Sequence, residues 1–203
     1  MRKLVIIALV LFVSSSIIYA QLTKIGGGLG YTTGYLFHDA DYEYNKSGSF
    51  NFFGKGIIEI NLPFHLAPSI TYYFPHVWKE SDPFSESKIT VTTLMIDING
   101  HYVFNSLDRF EFYGLAGLDV LLAWKKDYFK STSGTTSFEE TTHEKDNGIG
   151  LNLGIGTYMK ISESIDLNIE AKYLVSKYSQ FMLNAGILVN LQYLYKKERS
   201  GGI

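Results

Sequence analysis

The sequence predicts an all-β chain: eight antiparallel strands closed into an up-and-down barrel that crosses a membrane, preceded by a signal peptide. Three observations carry this expectation. The first is alternation. In IDLNIEAKYLV, residues 165–175, one phase holds Ile165, Leu167, Ile169, Ala171, Tyr173 and Val175, and the other holds Asp166, Asn168, Glu170 and Lys172. Successive side chains of a strand point to opposite faces, so such a run is a strand with one apolar and one polar face. The second is length. Several runs reach or pass the roughly 9–11 residues that a tilted membrane-crossing strand needs. The third is the start of the chain, where MRK precedes the apolar run LVIIALVLFV and then SSSIIYA. That is the layout of a secretory signal peptide over residues 1–20, and the apolar run falls short of the about 20 residues of a spanning helix. Ile18 departs from the small residue preferred near the cleavage point, and a retained N-terminal anchor is the other reading.

The strands follow in order. The first is 22–35, interrupted by glycines, and the second is 50–61. The third, fourth and fifth are 66–74, 89–104 and 109–124. The sixth, seventh and eighth are 147–161, 165–175 and 180–195. Ile, Val, Thr, Tyr and Phe dominate these runs, as strands favour. The composition agrees, with 15 Tyr, 14 Phe and 19 Gly but only 4 Pro. The expected domain plan is a signal peptide (1–20), one barrel (21–195) and a short polar tail (196–203). The connections LPFH, NSLD and SES are short, whereas 36–49, 75–88 and 125–146 are long and polar. SKYS at 176–179 is short and breaks that pattern. Short turns at one end and long loops at the other characterise transmembrane barrels.

Composition decides which face meets what. In the fourth strand Leu94, Ile96, Ile98, Tyr102 and Phe104 oppose Asp97, Asn99 and His101. In the fifth, Phe110, Phe112, Leu118, Val120 and Leu122 oppose Glu111 and Asp119. The polar phase carries few charges and many Gly, Asn and Thr. A water-exposed sheet face would hold more Lys and Glu, partly to discourage edge pairing. The polar phase is therefore assigned to a narrow lumen, with Lys55, Glu59, Asp97, His101, Glu111, Asp119, Lys160, Asp166, Glu170 and Lys172 as its charged or titratable set. Both signs are present, as enclosed charges require. Aromatics end the apolar phase: Tyr72, Phe74 and Trp124 at the long-loop end, and Phe104, Phe110, Tyr193 and Tyr195 at the other. Tyr and Trp suit a membrane interface, so two girdles are expected; the alternative is ordinary core aromatics of a soluble barrel.

On these residues the chain resembles the small eight-stranded outer-membrane barrels, the group of OmpX, OmpW and the OmpA N-terminal domain, and the outer-membrane β-barrel proteins of Bacteroidetes type. The likeness rests on the signal peptide, on HYVFNSLDRFEFYGLAGLDVLLAW as a strand–turn–strand unit, and on the last strand. There Asn184, Gly186, Val189 and Leu191 precede Tyr193 and Tyr195. That strand is similar to the signal read by the barrel-insertion machinery, although KKERSGGI continues past the final aromatic. The resemblance implies an integral outer-membrane protein of a Gram-negative bacterium, with outer-membrane lipids around it.

Function is less legible. An eight-stranded barrel is just wide enough for side chains to fill, which disfavours a wide pore. The expected role is structural or surface-interactive, through loops 36–49, 75–88 and 125–146 binding an extracellular protein or glycan, without catalysis. A narrow channel or transporter for small or apolar solutes is the second reading, and a soluble lipocalin-like carrier the third. No catalytic set, cofactor or metal site is predicted. His38–Asp39 and His143–Glu144 are the nearest approach to metal ligands, and His65, His76 and His101 fall in no His-x-Ser pair on a strand. GGGLG does not lie between a strand and a helix, so it is no dinucleotide loop. There is no cysteine. Without Arg2 and Lys3 the formal charge goes from −2 to −4, which does not suit a nucleic-acid binder.

Overall fold

Alternating strands joined by tight turns pair with their sequence neighbours, and here they do so around a full circle. The computed structural model describes residues 21–33, 48–61, 63–133, 136–177 and 179–193. Eight strands run β1 (Gln21–Thr32), β2 (Ser49–Asn61), β3 (Phe64–Asp82), β4 (Ser85–Ser106), β5 (Phe110–Ser133), β6 (Thr136–Lys160), β7 (Ile165–Val175) and β8 (Gln180–Asn190). Each pairs antiparallel with the next, and β8 pairs with β1, so the barrel is closed and has no edge over its membrane section.

β1, β2, β7 and β8 have 12, 13, 11 and 11 residues, about one membrane crossing. β3, β4, β5 and β6 have 19, 22, 24 and 25, and overshoot at one end. This corrects two expectations. The segments 75–88 and 125–146 are mostly strand and not loop: pairing continues to Asp82↔Ser85 and to Ser133↔Thr136. The Thr132 amide donates to the Phe84 carbonyl (2.8 Å), which ties the two hairpins into one four-stranded sheet. Of the third loop, 36–49, residues 36–47 lie outside those described, as do residues 1–20, Tyr195 and the 196–203 tail. The last strand also ends earlier than expected, at Asn190; Leu191–Tyr193 leave it in a helical turn.

At the opposite end the turns are tight. Leu107 and Phe110 exchange backbone hydrogen bonds, and the Ile161 and Ser162 amides both donate to the Ile165 carbonyl. Glycine is required where strands crowd. A Cβ on Gly28 would lie 2.0 Å from the Ala185 carbonyl oxygen across the β1–β8 seam, and one on Gly156 would meet the Tyr113 hydroxyl at 2.3 Å.

Alternation sets the radial order. Along β7 every even residue from Asp166 to Leu174 is buried, and the odd ones point outward. The outward face carries Leu29, Ile70, Ile98, Leu118, Ile155 and Ile187, all well exposed. The inward face carries most of the buried charge. That order is the reverse of what a soluble carrier of an apolar ligand needs, so the lipocalin-like reading is set aside.

Candidate functional site

The lumen is filled in layers. Nearest the long hairpins, Tyr73, Val91, Met95, Leu121, Ala123, Leu174 and Met182 form one apolar cluster. Toward the short turns, Ile57, Ala67, Tyr113, Leu115, Tyr158 and Leu188 form a second. Between them lies a polar layer held by cross-lumen ion pairs. Lys55 Nζ on β2 reaches Glu170 Oε2 on β7 at 2.5 Å, and Lys172 Nζ reaches Asp97 Oδ2 on β4 at 2.9 Å. The side chains of all four are almost completely enclosed. Their remaining hydrogen-bonding capacity is largely met. The Tyr113 hydroxyl donates to Glu170 (3.1 Å) and accepts from Asn168 (2.7 Å). Ser69 and Asn99 donate to Asp97 (2.7 and 2.6 Å), and Asn152 donates to Asn99 (2.9 Å). His101 stacks on Tyr113 (centroids 4.2 Å apart, planes 8° apart) and bonds Tyr158 through Nδ1 at 2.5 Å. Buried charges persist when paired and hydrogen-bonded in this way.

The ten residues assigned to the lumen therefore fall into two groups. Lys55, Asp97, His101, Asp119, Glu170 and Lys172 are in the polar layer. Asp119 is buried opposite Asp97 on the neighbouring strand, and its oxygens have no hydrogen-bond partner among the described residues. The other four, Glu59, Glu111, Lys160 and Asp166, line a cavity of about 320 Å³ at the short-turn mouth. There Lys24 pairs with Asp166 (2.8 Å) and lies 4.0 Å from Glu111. Lys160 is exposed at the rim and not enclosed as expected.

Three lumen residues, Lys24, Tyr113 and Tyr158, were not among those expected there. Tyr113 shares the parity of Glu111 and Asp119, and Tyr158 that of Lys160, so parity alone marked both as inward. Lys24 was hidden by an irregularity: the β1–β2 register slips between Leu22 and Lys24, and Thr23 and Lys24 are both buried. Such bulges re-aim a side chain.

The aromatics lie at the two ends of the outward face. Phe52 packs on Tyr72 and Phe74 (centroids 5.2 and 6.1 Å), and Trp124 stands at the same end, as does a Tyr31–Phe50 pair that the sequence analysis did not assign to the girdle. At the other end Phe110 and Phe112 stack, and Phe104 and Tyr193 are exposed.

The long-hairpin sheet has its own charge pattern. Lys125 lies between Asp127 (3.0 Å) and Glu144 (3.5 Å), Lys130 pairs with Glu139 (2.9 Å), and Lys177 pairs with Asp146. The hydrogen bond from Lys130 lowers the Glu139 carboxyl from its ordinary 4.5, and the same bond raises Lys130 above 10.5. Phe84 and Phe138 are 73% and 58% exposed near the turns. His143 and Glu144 are adjacent on β6 and so point to opposite faces, which prevents them from sharing an ion. His38–Asp39 lies outside the described residues. Among the described residues no group of three or more His, Asp or Glu is placed to hold a metal.

A family model described as outer membrane protein beta-barrel domain matches residues 5–193. Solved structures similar to this chain include Ail of Yersinia pestis, at 14% identity over 83% of this chain and 99% of that one (TM-score 0.46). The N-terminal barrel domain of Pseudomonas aeruginosa OprF matches at 14% identity over 84% and 98% (TM-score 0.44), and Neisserial surface protein A at 14% over 84% and 98% (TM-score 0.46). No curated protein matches the sequence.

Proposed function

Since this chain belongs to the outer membrane protein β-barrel domain family and is an integral protein of the outer membrane, we propose that it is a sealed, non-catalytic barrel whose work is done at the cell surface by its four-stranded sheet. One observation carries this reading. The lumen is closed by two apolar layers around an ion-paired one, while β3–β6 run 6 to 14 residues beyond the 11–13 of the other strands. Strand length in excess of the membrane has no role in anchoring, and rigid scaffolds commonly carry function on what projects from them. Exposed Phe84, Phe129 and Phe138 among polar neighbours suit recognition of an extracellular protein or glycan. In this reading residues 1–20 direct export, and the last strand is read by the barrel-insertion machinery.

The test has two arms. Purified protein in planar bilayers is expected to be electrically silent. Cells displaying it are expected to bind immobilised extracellular-matrix proteins or glycans, and to lose that binding when residues 126–145 are replaced by a short turn. Discrete conductance steps would favour the narrow-channel reading, and hairpin-independent binding would remove the surface sheet from the account.

A further inference from the structure

The lysines of the projecting sheet divide by face. Cross-strand partners share a face, and Leu94 opposite Leu122, then Thr92 opposite Trp124, trace the outward face upward from the lipid zone. The next steps on that face bring Thr90 opposite Lys126, and then Lys79 opposite Lys88 with Tyr128 beside it. One such step is about 6.6 Å. Lys79, Lys88, Lys126, Glu86, Thr90 and Tyr128 surround a hollow of about 550 Å³. Among the described residues none of the three lysines ion-pairs with a carboxylate, whereas Lys125, Lys130 and Lys177 all do. Like charges directly opposite on neighbouring strands repel, so Lys79 and Lys88 face each other at a cost that an external anion would offset.

Position names the anion. Trp124 marks the membrane interface, and the lysines stand one and two steps above it, at headgroup height and facing the bilayer. A soluble polyanion arriving from above would first meet Glu80, Asp82, Glu139 and Glu140 near the turns. We infer that Lys79, Lys88 and Lys126 form a clamp for the phosphate groups of outer-leaflet lipid, with the Thr90 hydroxyl as a neutral donor. The clamp rests on the membrane placement of the barrel and is independent of any partner of the sheet's turns.

The experiment uses the folded, full-length protein in mild detergent, titrated with lipid A carrying both phosphates and with the same lipid dephosphorylated, and read by native mass spectrometry. The wild-type protein should prefer the phosphorylated lipid by roughly tenfold to a hundredfold, the scale expected of three interfacial lysines. The triple variant K79Q/K88Q/K126Q should lose the preference. K130Q, on the same face but already paired, should keep it. Heat-modifiable gel migration reports that each variant is folded. Equal binding of the two lipids by the wild type, or an undiminished preference in the triple variant, overturns the clamp. So does binding of a heparin oligosaccharide through these lysines with no phosphate-dependent lipid binding.

Discussion

Lys55 and Glu170 meet across the lumen, Nζ to Oε2 at 2.5 Å, from strands three apart around the ring. Removing one member of an enclosed pair strands the other charge. Lys55→Met is expected to cost about 3–5 kcal/mol, and Lys55→Met with Glu170→Leu much less than the sum of the single changes. Urea unfolding of the vesicle-inserted protein, followed by Trp fluorescence, measures the cycle. Single and double variants of equal stability would mean that the pair is not the strut described.

Gly156 lies under the ring of Tyr113, whose hydroxyl holds Asn168 and Glu170. Gly156→Ala should displace that ring and destabilise the barrel by about 1–3 kcal/mol. Gly114 has no atom within 4 Å of a Cβ position, so Gly114→Ala is the control and should be close to neutral. Comparable losses from both would remove the crowding argument.

The orientation of the wall can be read by cysteine placement. Leu118 and Ile187 face outward, at 60% and 52% exposure, while Asp119 is enclosed. Cysteines at 118 and 187 in otherwise unchanged protein should react with a lipid-soluble maleimide and resist a charged, water-soluble one. A cysteine at 119 should resist the lipid-soluble reagent in the folded barrel. Fast labelling of position 118 from water would invert the assignment of faces.

Lys130 and Glu139 lend the hairpin a pH dependence. Glu139 has a lowered pKa when folded, so its share of stability is present above the ordinary carboxylate value of 4.5 and is lost as pH falls through the lowered one. Lys130 is raised, so its share is complete below 10.5 and is lost as pH rises through the raised value. Hydrogen exchange of the amides near Thr132 and Phe138, corrected for intrinsic rates, should be slowest between these limits. Both limbs should weaken with salt, as the pair is exposed, and vanish in Glu139→Gln. A profile unchanged by that substitution would show that the pair does not govern opening.

Much of this architecture was legible from residue order alone. The period of two assigned Leu118 outward and Asp119 inward without reference to any other strand, because a Cβ in extended chain has only two directions to take. The same rule supplied the strand number and the polarity of the lumen. It failed where both faces of a strand meet water. KKDYFK and HEKD read as loop because a strand solvated on both sides has no apolar phase, and only pairing such as Lys130↔Glu139 reveals that it is extended.

Which enclosed charge meets which was a matter for the tertiary structure. Lys55 is 115 residues from Glu170, and Asp97 is 75 from Lys172. Their meeting depends on the stagger accumulated around the closed ring and on local slips such as that at Thr23. Alternation along one strand says whether a side chain points inward, but height and azimuth inside the barrel are properties of all eight strands together.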